Sequence, residues 1–251
     1  MLELLNPYLG TLVNFAVVLI MGIIGSLVKK GIPERFSKSI MAAMAICVIY
    51  IGIDGVLEAP PDISVDTTLL SPALFKILVM VISMAVGTVI GELVNFEKWM
   101  DKLGELAARR LGGLEGNENF AKGFVSCSIL FCVGAMTVNG AIASATGDHQ
   151  LLLTKSVIDG VSALVMSSTL GIGCAFSAFF VLIYQGVLTL FGTALVGVLS
   201  ASTLTYMSVT GSLIVILLGT NVLGVTKVRT ANMVPAMFVA ILVEALLNWI
   251  F

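Results

Sequence analysis

Charge is scarce in this chain. Asp, Glu, Lys and Arg make up 11% of its 251 residues, against about 25% in an ordinary soluble domain. With 58% hydrophobic residues, the sequence has too little polar surface for a soluble globular fold and is expected to be solvated by lipid. The net charge of -2 hides a strong asymmetry between the two sides of the membrane and argues against a nucleic-acid partner. Cysteine is equally sparse. Cys47, Cys127, Cys132 and Cys174 sit in apolar runs without the paired spacing of a zinc site or the clustering of a disulfide framework, and read as small packing residues. The single histidine, His149, stands beside Asp148 in a connection. Proton sensing is one reading of it, and an ordinary loop histidine is the plainer one. No phosphate-binding loop is present, so any nucleotide-driven activity is not expected. The first apolar stretch follows Glu3 without a basic leader or a small-residue cleavage pattern, and is expected to be a retained span.

What the chain does have is apolar length. A hydrocarbon core about 30 Å thick needs roughly 20 apolar residues per helix. Such windows lie near 9–28, 36–56, 70–94, 120–145, 151–172, 174–199, 205–225 and 231–250. The predicted fold is therefore an all-α polytopic membrane protein of about eight transmembrane helices, forming one transmembrane domain over 1–251. Eleven of the thirteen basic residues fall in three polar segments: Lys29 to Lys38, Lys98 to Lys122, and Lys227 with Arg229. The alternate connections carry Glu58, Asp62, Asp66 and Asp148. The positive-inside rule then places both termini outside the cytoplasm. The segment 95–112 differs from the spans, because Phe96, Trp99, Met100, Leu103 and Leu106 recur at helical spacing opposite Lys98, Asp101, Lys102 and Glu105. It is expected to be an amphipathic helix lying along the inner surface or packed on the ends of the bundle.

Two landmarks recur along the chain. Gly25 precedes Lys38-Ser39-Ile40 much as Gly140 precedes Lys155-Ser156-Val157, and Phe75 precedes Gly87-Thr88 by the spacing that separates Phe180 from Gly192-Thr193. The spans concerned, 9–94 and 120–199, run in opposite senses, the pattern of an inverted repeat with a terminal hairpin at 205–251. Close helix packing through small residues explains the same glycines without a repeat.

Two cations fall inside apolar runs. Lys76 stands near an outer helix end, where it can snorkel. Lys155 has Asp159 one helical turn below it, close enough for a direct pair. A charged group in hydrocarbon is costly enough to be a functional candidate, although a structural salt bridge explains the pair equally well. Asn14, Asn139, Tyr184, Gln185, Asn221 and Asn232 stand on other spans, with Glu244 deep in the last. Amide and carboxylate oxygens suit a hard cation, and they also serve as interhelical hydrogen-bond partners. The candidate solute- or ion-binding set is Lys155, Asp159, Asn139, Gln185, Asn221, Asp148, Asn14 and Glu244. In the mechanism expected of it, a cation or proton at Asp159 releases Lys155. The glycine-rich stretches Gly134 to Gly147 and Gly219 to Gly224 are where interrupted helices would line a cavity.

These features favour a secondary transporter of a small polar or ionic solute, with H⁺ or Na⁺ as coupling ion and no other cofactor. An ion channel would use the same residues as a static lining. A scaffold would use them only to specify packing. An enzyme is not expected: adjacent helical residues such as Lys155 and Ser156 point in different directions, and Asp148 is placed in a loop away from Asp159. Eight helices leave little interior volume, so a homodimer is expected.

The blocks Val133-Gly134-Ala135-Met136-Thr137-Val138-Asn139-Gly140, Thr146-Gly147-Asp148, Lys155-Ser156-Val157-Ile158-Asp159-Gly160 and Tyr184-Gln185-Gly186 resemble the bacterial YqgA-type membrane proteins. Ile32-Pro33-Glu34-Arg35 and Asn232-Met233-Val234-Pro235-Ala236 extend the resemblance over nearly the whole chain. It implies a family of unknown function usually supposed to be transporters, and it supports the emphasis on Asp148, Lys155 and Asp159.

Overall fold

A computed structural model describes residues 6–29, 33–57, 71–99, 102, 106, 117–132, 135–145, 147–196 and 199–250. The regular elements among them are helical. In chain order they are α1 (Leu9–Lys29), α2 (Glu34–Leu57), α3 (Pro72–Val94), α4 (Asn117–Cys132), α5 (Ala135–Ala145), α6 (Gln150–Leu170), α7 (Gly173–Val196), α8 (Ala201–Leu223) and α9 (Pro235–Ile250). Short 3-10 turns at Asn6–Tyr8 and Thr230–Met233 lead into α1 and α9. Helices are the natural answer to a chain solvated by lipid, because each satisfies its own backbone.

The helix ends are written locally. Ser71 accepts a hydrogen bond from the Leu74 amide in front of Pro72, and Ser200 does the same for Thr203, the usual way of satisfying orphan N–H groups at an N-terminus. Gly224, at a φ of 82°, closes α8, a left-handed conformation that favours glycine. Pro235 opens α9, as its position in the sequence predicts.

Seven of the eight predicted spans correspond to helices long and apolar enough to cross a bilayer. The eighth, expected as one helix over 120–145, is bent by 75° between Phe120–Cys132 and Met136–Ala145. The pieces still traverse the bundle together. The α4 end meets the α6–α7 turn, where Gly173 abuts the Phe120 backbone and Gly123 abuts Cys174. The α5 end lies at the start of α1 and α6, where Ser144 donates to the Pro7 carbonyl and Gly140 abuts Leu152. The other glycine-rich stretch leaves α8 continuous through Gly219, which packs against Ala45 and Ile49 of α2, and ends it at Gly224.

The closest pairing sets α1 parallel to α6: Gly10 faces Leu152, Val17 faces Gly160, and Gly25 lies against the Leu164 backbone. At Gly25 a β-carbon would be driven into the Leu164 carbonyl, so the approach depends on the missing side chain. Helix α2 runs antiparallel to α8, and α3 to α9. Ring contacts among Phe15, Phe179, Phe176 and Phe120 tie α1, α7 and α4 together. The outward faces of α2, α3 and α9 expose Ile46, Leu93 and Trp249, as expected of surfaces that meet lipid tails. Span one is a single helix, whereas its expected repeat counterpart at 120–145 is two. Of the expected helix at 95–112, Phe96 to Trp99 is described and helical, and most of the remainder lies outside the described residues.

Candidate functional site

Lys155 and Asp159 lie on the same face of α6, and both are buried. Nζ of Lys155 donates to Oδ2 of Asp159 at 2.6 Å. Asp159 is ten residues into the helix counting from Gln150, about 14 Å along the axis and so near the middle of a bilayer about 30 Å thick. A second donor reaches the same oxygen from α1, where Nδ2 of Asn14 lies 3.1 Å from Oδ2. The i to i+4 spacing on α6 supplies the first contact, and the parallel packing of α1 through Gly10 and Gly25 supplies the second. Burial makes this pair more than a surface ion bridge, because a desolvated charge persists only where donors satisfy it.

The pair stands on the wall of a cavity of about 490 Å³ formed by α2, α4, α5, α6 and α8. Ser162 and Ser212 add hydroxyls to the wall, Tyr50 and Ile158 add apolar and aromatic surface, and Asp54 adds a second carboxylate. Thr137, also on the wall, donates its hydroxyl to the Phe131 carbonyl at 3.0 Å. That bond spans the break between α4 and α5 and satisfies a carbonyl that a continuous helix would have paired. The interrupted span is therefore part of the cavity, as membrane proteins require of irregular backbone at depth. Two carboxylates and one ammonium give the cavity wall a formal charge of -1.

The remaining sequence candidates divide sharply. Asn14 joins the pair directly. Gln185 is fully buried on α7 and both its amide atoms lack a hydrogen-bond partner. The register of α1 against α7, set by Thr11 beside Thr189 and Gly22 against Ala175, puts Gln185 at the depth of Asn14. Asn139 lies on α5, next to the cavity in sequence, but its side chain lies outside the described residues.

Asn221 is elsewhere. Its amide donates to the Val228 carbonyl and its oxygen accepts from Val228 N at 3.0 Å and Thr226 at 2.7 Å, so it organises the turn after α8. It was expected in the solute site because amides on apolar spans look alike in sequence; its position at the helix end makes it a turn residue. Asp148 is exposed and accepts from the Gln150 amide at 3.1 Å, capping α6. It lies roughly 15 Å along the helix from Asp159 by helical rise, so no carboxylate dyad forms. Glu244 accepts from Ser202 at 2.6 Å between α8 and α9, a separate polar contact. Tyr184 reaches Met237, and Asn232 accepts from the Glu97 amide at 2.6 Å.

Ser156 returns its hydroxyl to the Leu152 carbonyl at 2.7 Å, which leaves no serine–lysine dyad. His149 is held by Ser144 at 2.7 Å and Asn6 at 3.3 Å, at the end of the bundle where α1 and α6 begin. Lys76 reaches the Val56 carbonyl at 3.4 Å, at the end of α2. Among the described residues no group of three or more His, Cys, Asp or Glu is placed to hold a metal ion. Asp54 was missed by the sequence reading. The signal was available, since a carboxylate three residues inside the end of an apolar span meets the same criterion as Asp159.

Residues 9–245 match the family described as "protein of unknown function (DUF554)", and the chain belongs to it. The uncharacterized membrane protein YdfK of Bacillus subtilis (strain 168) is 27% identical over 231 residues, which is 92% of this chain and 93% of that protein. The uncharacterized protein YqgA of Escherichia coli (strain K12) is 25% identical over 241 residues, 94% of this chain and 96% of the relative. The resemblance read from the sequence blocks is thus to the right family. No solved structure matches.

Proposed function

We propose that this member of the DUF554 family is a secondary transporter of a small polar or ionic solute in the bacterial cytoplasmic membrane, coupled to a cation or proton. The observation that carries the reading is the Lys155–Asp159 pair, buried at mid-membrane depth on the wall of a cavity of about 490 Å³. A charge pair that served packing alone would be covered by neighbouring side chains; this pair instead faces an open cavity, beside a broken span, whose wall includes the exposed Tyr50, Asp54 and Leu57.

In the mechanism we favour, a cation or proton at Asp159 weakens its hold on Lys155. The freed ammonium then turns to solute in the cavity. The two pieces α4 and α5 supply a wall that can change its angle without breaking a continuous helix, the arrangement by which discontinuous helices serve alternating access. Each ligand acts through its difference in affinity between the paired and released states.

The test begins with thermal-shift screening of the purified chain against amino acids, carboxylates, ammonium compounds and inorganic ions. Counterflow of any stabilising solute is then measured in liposomes. Saturable counterflow lost in Asp159→Asn supports the carrier. Ohmic single-channel currents, or flux unchanged by Asp159→Asn together with Lys155→Met, overturn it.

A further inference from the structure

Behind Asp159, on the side away from the cavity, α1 and α7 bring a second set of oxygens to the same depth. Asn14 uses its Nδ2 on Asp159 and leaves its Oδ1 buried without a partner. Gln185 is fully enclosed with neither amide atom satisfied. One turn away Thr11 and Thr189, both buried, hold their hydroxyls 3.4 Å apart. Gln185 precedes Thr189 by one helical turn and Asn14 follows Thr11 by one, so the antiparallel register puts the two amides at the same depth. Buried polar groups in proteins are nearly always paired, and each exception asks for an explanation.

We infer that this layer between α1, α6 and α7 binds a dehydrated alkali-metal cation, with sodium the expected ion. The ligand chemistry selects the class. One carboxylate with neutral amide and hydroxyl oxygens balances a single positive charge. Hard oxygens exclude soft metals, and the absence of a second carboxylate in the layer disfavours calcium and magnesium. The ion supplies the partner that Asn14 Oδ1 and Gln185 Oε1 lack. It also competes with Lys155, whose Nζ now holds Asp159 Oδ2 at 2.6 Å. Entry of the cation from the α1–α7 side therefore releases the ammonium toward the cavity on the other. The inference deepens the transporter reading and rests on it only for what the released ammonium does next.

The experiment follows thermal unfolding of the full chain in detergent with NaCl, KCl or N-methylglucamine chloride at equal ionic strength. Saturable stabilisation by sodium or potassium over N-methylglucamine, lost in Gln185→Met and weakened in Thr189→Val, is the expected result. Thr189→Val keeps the shape of the side chain and serves as the test if Gln185→Met does not fold. Lys155→Met is expected to shift the midpoint of the sodium titration to lower concentration, because the competing ammonium is gone; a purely structural layer would not move it. Equal stabilisation by all three chlorides, or a sodium effect that survives Gln185→Met and Thr189→Val unchanged, overturns the site. Sodium-specific stabilisation without solute counterflow would leave the ion site standing and sink the transporter. Solute counterflow without stabilisation by sodium or potassium would do the reverse.

Discussion

Oδ2 of Asp159 lies 2.6 Å from Nζ of Lys155 and takes a second donor, Asn14, at 3.1 Å. The contact unites two charges that neither lipid nor packing would accept alone. Removing one partner leaves the other desolvated, which costs about 3–5 kcal/mol in comparable buried pairs, whereas removing both is far milder. Asp159→Asn is therefore expected to lower the apparent melting temperature much more than the double variant Lys155→Met with Asp159→Asn. Fluorescence-monitored unfolding in detergent checks the order. A double variant as unstable as the single one would show that the pair is not the unit.

Two glycines should respond in opposite directions. A β-carbon on Gly25 meets the Leu164 backbone, while one on Gly186 has nothing within 4 Å. Gly25→Ala is expected to cost about 1–3 kcal/mol by overpacking a helix contact. Gly186→Ala, inside α7, should gain about 0.5–1 kcal/mol by restricting the unfolded chain. The two melting temperatures, read against the parent, decide it.

These outcomes separate what the amino-acid sequence reveals from what it hides. Span positions were legible because hydrocarbon thickness imposes one length on every helix: the windows at 36–56 and 70–94 became α2, Glu34–Leu57, and α3, Pro72–Val94. The break between Cys132 and Met136 was legible only as a glycine-rich stretch, and Gly219 to Gly224 looked the same, yet α8 runs through Gly219 and ends only at Gly224. What distinguished them is tertiary. Thr137 can pay the orphaned Phe131 carbonyl across the first, while α2 packs directly on Gly219. The Lys155–Asp159 pair was visible because its partners share one helix. Asn221 and Gln185 were indistinguishable, since an amide's role depends on which helix lies opposite, and hydropathy carries no record of neighbours. Asp54 was overlooked although it stands inside the window 36–56 and meets the criterion that singled out Asp159.

Topology offers an independent check. The basic connections Lys29 to Lys38, Lys98 to Lys122 and Lys227 with Arg229 should all face the cytoplasm, leaving both termini outside. A C-terminal alkaline phosphatase fusion after Phe251 is expected to be active in cells, and the matching green fluorescent protein fusion dark. The reverse pair would invert the membrane orientation and place Asp54 and Lys155 nearer the cytoplasmic side.

Asp54 gives the sharpest separation of the cavity from the ion layer. It is exposed on α2, lines the cavity, and has no hydrogen bond or ion pair among the described residues. Asp54→Asn should therefore change stability by no more than about 0.5 kcal/mol, the usual range for an exposed position free of such features. If the cavity holds the solute, the same change removes a charge from its wall. A lost charge-assisted contact of about 1.4 kcal/mol would raise the apparent dissociation constant roughly tenfold. The solute found by thermal-shift screening, titrated against parent and Asp54→Asn at fixed sodium, measures that shift. Sodium-dependent stabilisation should be unchanged, because Asp54 belongs to α2 and the ion layer to α1, α6 and α7. An unaltered solute titration would remove Asp54 from the binding wall, and a lost sodium effect would merge two sites that the helix packing keeps apart.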